Sequence, residues 1–481
     1  MPRSVVLGVD SSTQSTKVIA VDTESGEVVG AGRAPHSGLD IQHPAEWWDA
    51  LVAATRAAAS PDMRVEAISI GAQQHGMVIL DAENQVIRPA PLWNNVAAAP
   101  DAERLNAMAD FGREIGTRLV ASITIAKLAH LARTAPDDLA RTAAVGLPHD
   151  WLNMQLTGSL ATDRGEASGS GWWSPRDGRE RRDLLALAVG DEHARRLRLP
   201  DVRGPEVPAG TLRGDAAVAL GLQAGIPVGP GTGDNMAAAL GVGAAPGEIV
   251  VSLGTSGTAF AVSLDPIVDE TGEVEGFADA TGRFLPLVCM LNCTRVVDTV
   301  SGMIGLSRED ALGRAADAQP GADGLLLMPY LAGERTPNLP EATGSITGLA
   351  ADNATPDHLV RAALDGVAAG LAYSVEVLSR LGITAPEITL VGGGSQHPAW
   401  RQAIADATGL PVIVRGGGEH AARGAAMQAM AIARGEPLDS VVKRWRPEIV
   451  ARIEPRPEHR DAFRLDERRR IIEDLKAANA S

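Results

Sequence analysis

Asp10, Ser12, Thr13 and Lys17 fall within eight consecutive residues, in the stretch Val5-Val-Leu-Gly-Val-Asp-Ser-Ser-Thr-Gln-Ser-Thr-Lys17. An apolar run, a small polar turn and a second apolar run (Val18 to Val21) predict a β-hairpin. A turn of this composition aims successive amides and hydroxyls at one spot and makes an anion cradle. Ser12, Thr13 and the ammonium of Lys17 suit phosphate oxygens. Asp10 would be repelled by phosphate unless a divalent cation stood between them, which makes it a Mg²⁺ ligand, directly or through water. The plainer alternative is an aspartate that accepts hydrogen bonds from its own turn. A second copy, Ile249-Val-Val-Ser-Leu-Gly-Thr-Ser-Gly-Thr258, offers Gly254, Thr255 and Ser256; Leu253 and Gly254 stand near the place of Asp10, and no acid is present. Two unequal cradles half a chain apart predict a duplicated protein that holds a polyphosphate, ATP, with one metal position.

Asp234 follows Gly229, Gly231 and Gly233 and precedes an Ala-rich run. Glycines let backbone approach a ligand closely, and α/β proteins place their chemistry at the C-terminal edges of strands. A general base for a hydroxyl nucleophile fits Asp234, as does a simple helix N-cap. Gln74 and His75 follow the predicted strand Val65 to Ile70 and can donate to and accept from sugar hydroxyls. Gly392-Gly-Gly-Ser395 and Gln396 follow another strand, where bare backbone would let an adenine or ribose lie flat. Tryptophans at 47, 48, 93, 151, 172 and 173 could stack on a sugar face, although core packing suits most of them.

These residues need a scaffold. A chain of 481 residues is too long for one compact core, so two domains are expected. Its net charge of −16 argues against nucleic acid and against an anionic membrane surface. Neither a basic-then-apolar leader nor an apolar stretch long enough to span a bilayer is evident. Cys289 and Cys293 are the only cysteines; they read as two reduced, buried thiols, which their spacing could place one helical turn apart, and a cytoplasmic location is the expectation.

Strands alternate with helices in both halves, an α/β pattern. After the first hairpin come a strand (Val28 to Ala34) and a helix introduced by Pro44. The pattern restarts near residues 240–248, which divides the chain into domains 1–243 and 244–481. In the second half Thr355 caps a long helix that has Pro356 at its first position and runs to about Leu381. Strands at 388–391 and 412–414 are followed by helices at 398–408 and 420–434. The antiparallel hairpin opening each half argues against an all-parallel sheet.

Taken in order, these segments resemble the FGGY family of carbohydrate kinases over nearly the whole chain. Gly344-Ser-Ile-Thr-Gly-Leu349, eight residues, then His358-Leu-Val-Arg-Ala-Ala-Leu-Asp365 is similar to the family's C-terminal signature. Asp-Ser-Ser-Thr from Asp10, Gly-Asp-Asn from Gly233, Ser-Leu-Gly-Thr-Ser-Gly from Ser252 and Pro329-Tyr-Leu-Ala-Gly-Glu-Arg-Thr-Pro337 add to it. The resemblance implies two actin-like (ribonuclease H-like) domains flanking a nucleotide and sugar cleft. The first would be the sugar-binding and catalytic side and the second the ATP-binding side. It implies Asp234 as catalytic base, and Asp10 near Mg²⁺. Gln74, His75, Trp93, Asn94, Asp234 and Asn235 would hold the sugar. Ser12, Thr13, Lys17, Gly254, Thr255, Ser256, Gly393, Gly394 and Gln396 would hold ATP.

Gln74-His75-Gly76 is similar to the Met-His-Gly of xylulose-phosphorylating members, where glycerol-phosphorylating ones carry Arg-Glu. The implied reaction is ATP-dependent phosphorylation of a pentulose, D-xylulose to D-xylulose 5-phosphate. Another ketose or polyol is the alternative, and a non-catalytic, nucleotide-gated sugar-binding protein is the alternative from a different class. The chain departs from the family at Gln74 (commonly Met), at His130 (usually Trp) and at Trp93-Asn-Asn-Val-Ala97, where Trp-Asn-Asp-x-Arg is usual. Losing that acid and base together is far cheaper than orphaning one of them if the two form an ion pair, so the change bears on sugar choice rather than on folding. Sugar and ATP are the expected partners, without nucleic acid or membrane, and a homodimer is compatible with the sequence.

Overall fold

In the computed structural model, which describes residues 2–479, the chain forms two compact α/β units. One comprises the chain up to Gly243 with Ser263–Leu285 and Glu419–Pro447; the other comprises Ala244–Val262, Pro286–Gly418 and the chain from Glu448. The units are thus discontinuous, where the sequence pattern suggested one cut between 243 and 244. The late segment belongs to the first unit because the helix His420–Arg434 packs on that unit's sheet.

The first unit opens with β1 (Arg3–Ser11), β2 (Ser15–Asp22), β3 (Val28–Pro35), α1 (Pro44–Ala58) and β4 (Met63–Ala72). β2 runs antiparallel to β1 and β3, and β4 runs parallel to β1, so the order is β3-β2-β1-β4. Val5, Leu7, Val9, Val18, Ile68 and Ile70 are wholly buried, each worth about 1.5–3 kcal/mol of apolar transfer. α1 covers one face with Trp47, Leu51 and Ala54. The other face takes the helix His420–Arg434 at backbone contact: a Cβ on Gly8 would fall 1.9 Å from the Ala422 carbonyl oxygen. The same helix crosses the helix Asp234–Gly241 equally closely, since a Cβ on Gly424 would lie 1.9 Å from the Ala237 oxygen. These crossings fix the helix that begins at Asp234.

The second unit repeats the plan. β5 (Ile249–Leu253) is antiparallel to β6 (Gly257–Ala261), and after α2 (Pro356–Arg380), β7 (Ile388–Val391) and β8 (Val412–Arg415) continue the sheet in parallel. Residues 287–290 pair with β6 as β3 does with β2. Three residues separate the strands of each hairpin, Ser12–Gln14 and Gly254–Ser256. Register sharpens the comparison. Asp10 faces Lys17 and Gly71, and Ser252 holds the same next-to-last place in β5, facing Thr258 and Val391. Ser252, rather than Leu253 or Gly254, therefore stands where Asp10 stands.

Two expectations are corrected here. α2 is, by length and composition, apolar enough to cross a membrane, yet 78% of its most apolar window is buried inside the protein. It is the central helix of its unit and carries the buried Arg361–Asp365 ion pair, 2.9 Å apart. Its Ala, Gly, Val and Leu content serves packing on several sides, which an apolar count does not distinguish from a lipid-facing span. Cys289 and Cys293, both buried and outside any disulfide, are not one helical turn apart: Cys289 lies in the strand Phe284–Met290 and Cys293 stands at the N-cap position of the helix Thr294–Met303.

Candidate active site

The short strand Thr232–Gly233 pairs with Gly71 and Ala72 at the end of β4. Asp234 follows at once as the first residue of its helix, with Gly233 in the N-cap position, so Asp234 is not itself the cap. Its Oδ1 accepts from the Asn235 amide at 2.8 Å and from Asn235 Nδ2 at 3.0 Å. Burial, then the charge of Asp10, push its pKa up to about 7, while the Asn235 donors pull the other way.

Asp10, next to last in β1, is buried, with Oδ1 lacking a hydrogen-bond partner. Burial raises its pKa to about 6; Lys17 lowers it and Glu419 raises it. The hairpin register puts Lys17 across from Asp10, Nζ to Oδ2 at 3.8 Å, and Glu419 Oε2 takes the same ammonium at 2.6 Å. Glu419, just ahead of the helix His420–Arg434, was invisible to sequence reasoning: it lies 402 residues from Lys17.

In the first turn the Ser12 amide and hydroxyl donate to the Ser15 carbonyl. The Thr13 hydroxyl donates to Gln73 Oε1 at 3.3 Å and accepts from Trp93 Nε1 at 2.9 Å. Thr13, expected on the phosphate side, thus ties the turn to the Trp93 segment. Asn94 Nδ2 donates to the Leu39 carbonyl, and its Oδ1 is buried without a partner. Of the other tryptophans, 47, 151, 172 and 173 are core residues.

Gln74 and His75 are brought against this group. Gln74 Oε1 accepts from Asn235 Nδ2 at 3.0 Å, and Gln74 Nε2 is buried and unpartnered. His75 adopts φ +64, a left-handed conformation uncommon for a side-chain-bearing residue and frequent at functional sites. Its Nδ1 lies 3.0 Å from the Gly169 carbonyl, which fixes Nδ1 as the protonated nitrogen, and its ring packs on Phe277. Buried Lys127 donates to the His75 carbonyl at 2.9 Å and to that of Ser122.

Glu166, which no sequence pattern singled out, is wholly buried beside them. A Cβ on Gly233 would meet Gln74 Cδ and Glu166 Oε2, each at 2.8 Å. Neither Glu166 oxygen has a partner of good geometry. Burial and the charges of Asp150, Asp163 and Asp234 push its pKa well up, against the opposing effect of the His75 amide.

The second unit gathers the other set. The Gly254 amide donates to the Ser256 carbonyl, and the Gly254 carbonyl accepts from the Thr294 amide and hydroxyl. The Thr255 carbonyl accepts from the Cys293 amide. The turn after β7 packs on the end of β5, with Gly394 so close that a Cβ would meet that of Leu253 at 2.8 Å, whereas Gly393 faces open space. Gly393, Gly394 and Gln396 line an open groove of about 420 Å³ with Thr294, Arg308 and Trp400. A lining that mixes apolar side chains such as Val297, Leu312 and Trp400 with a few polar ones suits a flat heterocycle.

Among the described residues no group of three or more His, Cys, Asp and Glu is placed to hold a metal. Asp10 alone, with its unpartnered buried oxygen, suits Mg²⁺, which keeps several waters and takes few protein ligands when phosphates supply the rest.

Residues 5–241 match the N-terminal domain, and 249–433 the C-terminal domain, of the FGGY family of carbohydrate kinases. A xylulose kinase of Streptomyces coelicolor is 42% identical over 450 residues, 92% of this chain and 90% of its own length. One from Streptomyces rubiginosus is 44% identical over 451 residues, with the same coverage. The crystal structure of a xylulose kinase from Bifidobacterium adolescentis shares the fold with a TM-score of 0.83 and 36% identity, covering 97% of this chain and 99% of that one. Two family domains matched in order, and relatives this similar along most of the chain, establish that the protein belongs to the FGGY family of carbohydrate kinases, built on two actin-like domains.

Proposed function

We propose that this carbohydrate kinase phosphorylates a pentulose, D-xylulose, at its terminal hydroxyl with ATP, and that Asp234 is the general base. The observation that carries the reading is Asp234 itself, held by Asn235 next to Gln74 with a pKa of about 7, near the optimum for a base acting at neutral pH. The names of the similar xylulose kinases support the sugar.

In this reading the first unit is the sugar and catalytic side. Gln74 Nε2 and the His75 ring meet sugar hydroxyls, while Trp93 and Asn94 shape the wall beside them. Asp234 takes the proton as the terminal oxygen bonds to the γ-phosphorus and the bond from phosphorus to the β-phosphate oxygen breaks, leaving ADP. Ser12, Thr13 and Lys17 on the first hairpin, and Gly254, Thr255 and Ser256 on the second, present amides, hydroxyls and one ammonium to the phosphates. Gly393, Gly394 and Gln396 receive the adenosine end. Mg²⁺ beside Asp10 would neutralise phosphate charge when bound. Positioning and electrostatics carry most of such a transfer.

The test is Asp234→Ala, expected to abolish sugar-dependent ADP formation while ATP binding by calorimetry persists; sugar turnover at the unmodified rate overturns the base assignment. A second sugar is favoured by one observation: Asn95, in place of the usual acid, bonds Asp40 at 3.0 Å, and the following residues 96 and 97 are exposed. A panel of pentuloses, hexuloses and polyols ranked by kcat/KM decides it.

A further inference from the structure

The loop Gly229–Gly233 that delivers Asp234 is held residue by residue. The Gly229 amide donates to the Ile68 carbonyl at 2.8 Å and the Gly231 amide to Gln428 Oε1 at 2.9 Å. The Thr232 hydroxyl donates to Asp163 Oδ2 at 2.7 Å, and Thr232 and Gly233 join the ladder with β4. Pro230 has no amide to give, so its carbonyl is the backbone group by which it can be held. Two buried side chains of the helix Pro148–Thr157 converge on that oxygen, His149 Nε2 at 2.5 Å and Asn153 Nδ2 at 2.8 Å. The imidazole touches the loop itself: a Cβ on Gly231 would fall 2.3 Å from His149 Cδ2.

His149 has no exposed surface. Its Nε2 faces the Pro230 carbonyl, which only accepts, at 2.5 Å, and lies farther, 3.2 Å, from the Asn153 amide nitrogen, whose own shorter bond is to that same oxygen. Its Nδ1 lies 2.9 Å from Asp150 Oδ1, an ion-pair contact rather than an aligned hydrogen bond. A neutral imidazole owns one N–H and would turn a bare lone pair toward one of these oxygens; an imidazolium has a proton for each. Asp150 accepts from the Leu147 amide through its other oxygen. The further acids of this interior are Asp163 and Glu166, from the segment after residue 160, and Asp234 at the end of the loop. Burial alone would lower the imidazole's pKa, but Asp150 and then Asp163 outweigh it and raise it.

We propose that His149 is a buried imidazolium and a positioning residue, whose bond to the Pro230 carbonyl sets the loop and so aims Asp234 at the acceptor hydroxyl. The proposal rests on Asp234 being the general base. A base displaced by about 1 Å loses roughly a hundredfold in rate, which is the scale of effect this bond controls.

The experiment uses the full-length enzyme with ¹⁵N-labelled histidine and two-bond ring correlations from about pH 6 to 9, a span that brackets an ordinary imidazole's titration, His149 being assigned by its disappearance in His149→Gln. Both ring nitrogens are expected at protonated shifts throughout. A bare nitrogen at neutral pH, which includes the case where Asp150 holds the proton, overturns the charge assignment. His149→Gln can still donate to Pro230 but carries no charge. It is expected to lower kcat by about tenfold to a hundredfold with KM for ATP unchanged, and His149→Ala to lower it further. A folded His149→Ala enzyme with unaltered kcat overturns the positioning role. If neither variant folds, the spectrum of the unsubstituted enzyme decides the charge of His149. Full activity in Asp234→Ala would remove the general-base reading while leaving the spectrum of His149 to report its charge, so the two failures are told apart.

Discussion

Lys17 Nζ lies 2.6 Å from Glu419 Oε2, a pair that joins the first hairpin to the start of the helix His420–Arg434. The lysine proposed for phosphate is thus already engaged, and an arriving phosphate must compete with a carboxylate for it. Both partners are partly exposed, at 26% and 46%, so the pair is worth only about 0–1 kcal/mol. Glu419→Gln should therefore lower KM for ATP modestly, by no more than about fivefold, and leave KM for the sugar alone. Steady-state kinetics with each substrate varied will show it; a raised KM for ATP would mean that Glu419 holds Lys17 in its working position instead.

The pH dependence follows from the coupling of Asp234 with Asp10. A base must be ionised to accept a proton, and Asp234 is held up to about 7 by burial and by Asp10. kcat/KM should accordingly fall as pH drops through about 7, one proton inhibiting. In Asp10→Asn the repelling charge is gone, the Asp234 carboxylate ionises more easily, and the acid limb should move to lower pH. The shape of the profile is the readout, since the rate itself will fall with loss of the group proposed beside Mg²⁺. An acid limb that stays in place would show the two carboxylates to be uncoupled.

Much of this arrangement is legible in the chain because it is local. The hairpin sets Asp10 opposite Lys17, Gly233 and Asp234 mark a strand end and helix start, and Thr355 and Pro356 cap α2. What escaped the sequence is what tertiary packing creates. Glu419 reaches Lys17 only because Gly8 admits a helix at backbone contact. The Glu166 carboxyl is pushed well above the usual carboxylate range only because the fold closes over it. Cys289 and Cys293 took separate elements because residue 290 ends a strand, which spacing alone does not reveal.

Lys127 pins the His75 carbonyl while His75 holds φ +64. Replacing it by methionine takes a buried donor from the Ser122 carbonyl, a cost of about 1–3 kcal/mol, leaves the His75 carbonyl only the longer bond from the Thr124 hydroxyl at 3.2 Å, and loosens the hold on the strained residue. Lys127→Met should raise KM for the sugar by about tenfold or more with KM for ATP unchanged, provided thermal unfolding shows a folded protein. Equal effects on both substrates would place Lys127 in general stability rather than in setting His75.

The helix crossing that carries Asp234 makes a prediction whose sign is unusual. Alanine is better than glycine in a helix by about 1 kcal/mol, so Gly→Ala within a helix ordinarily stabilises. At Gly313, where an added Cβ meets nothing within 4 Å, Gly313→Ala should raise Tm slightly. At Gly424 the same methyl would sit 1.9 Å from the Ala237 carbonyl oxygen and 2.9 Å from the Gly241 amide nitrogen. Backbone cannot rotate aside as a side chain can, so the helices must part, and overpacking of this kind costs about 1–3 kcal/mol or more. Gly424→Ala should lower Tm by several degrees and also depress kcat, because the displaced helix begins at Asp234. Calorimetry of the two variants side by side tests the crossing: if Gly424→Ala behaves like Gly313→Ala, the helices are not in backbone contact.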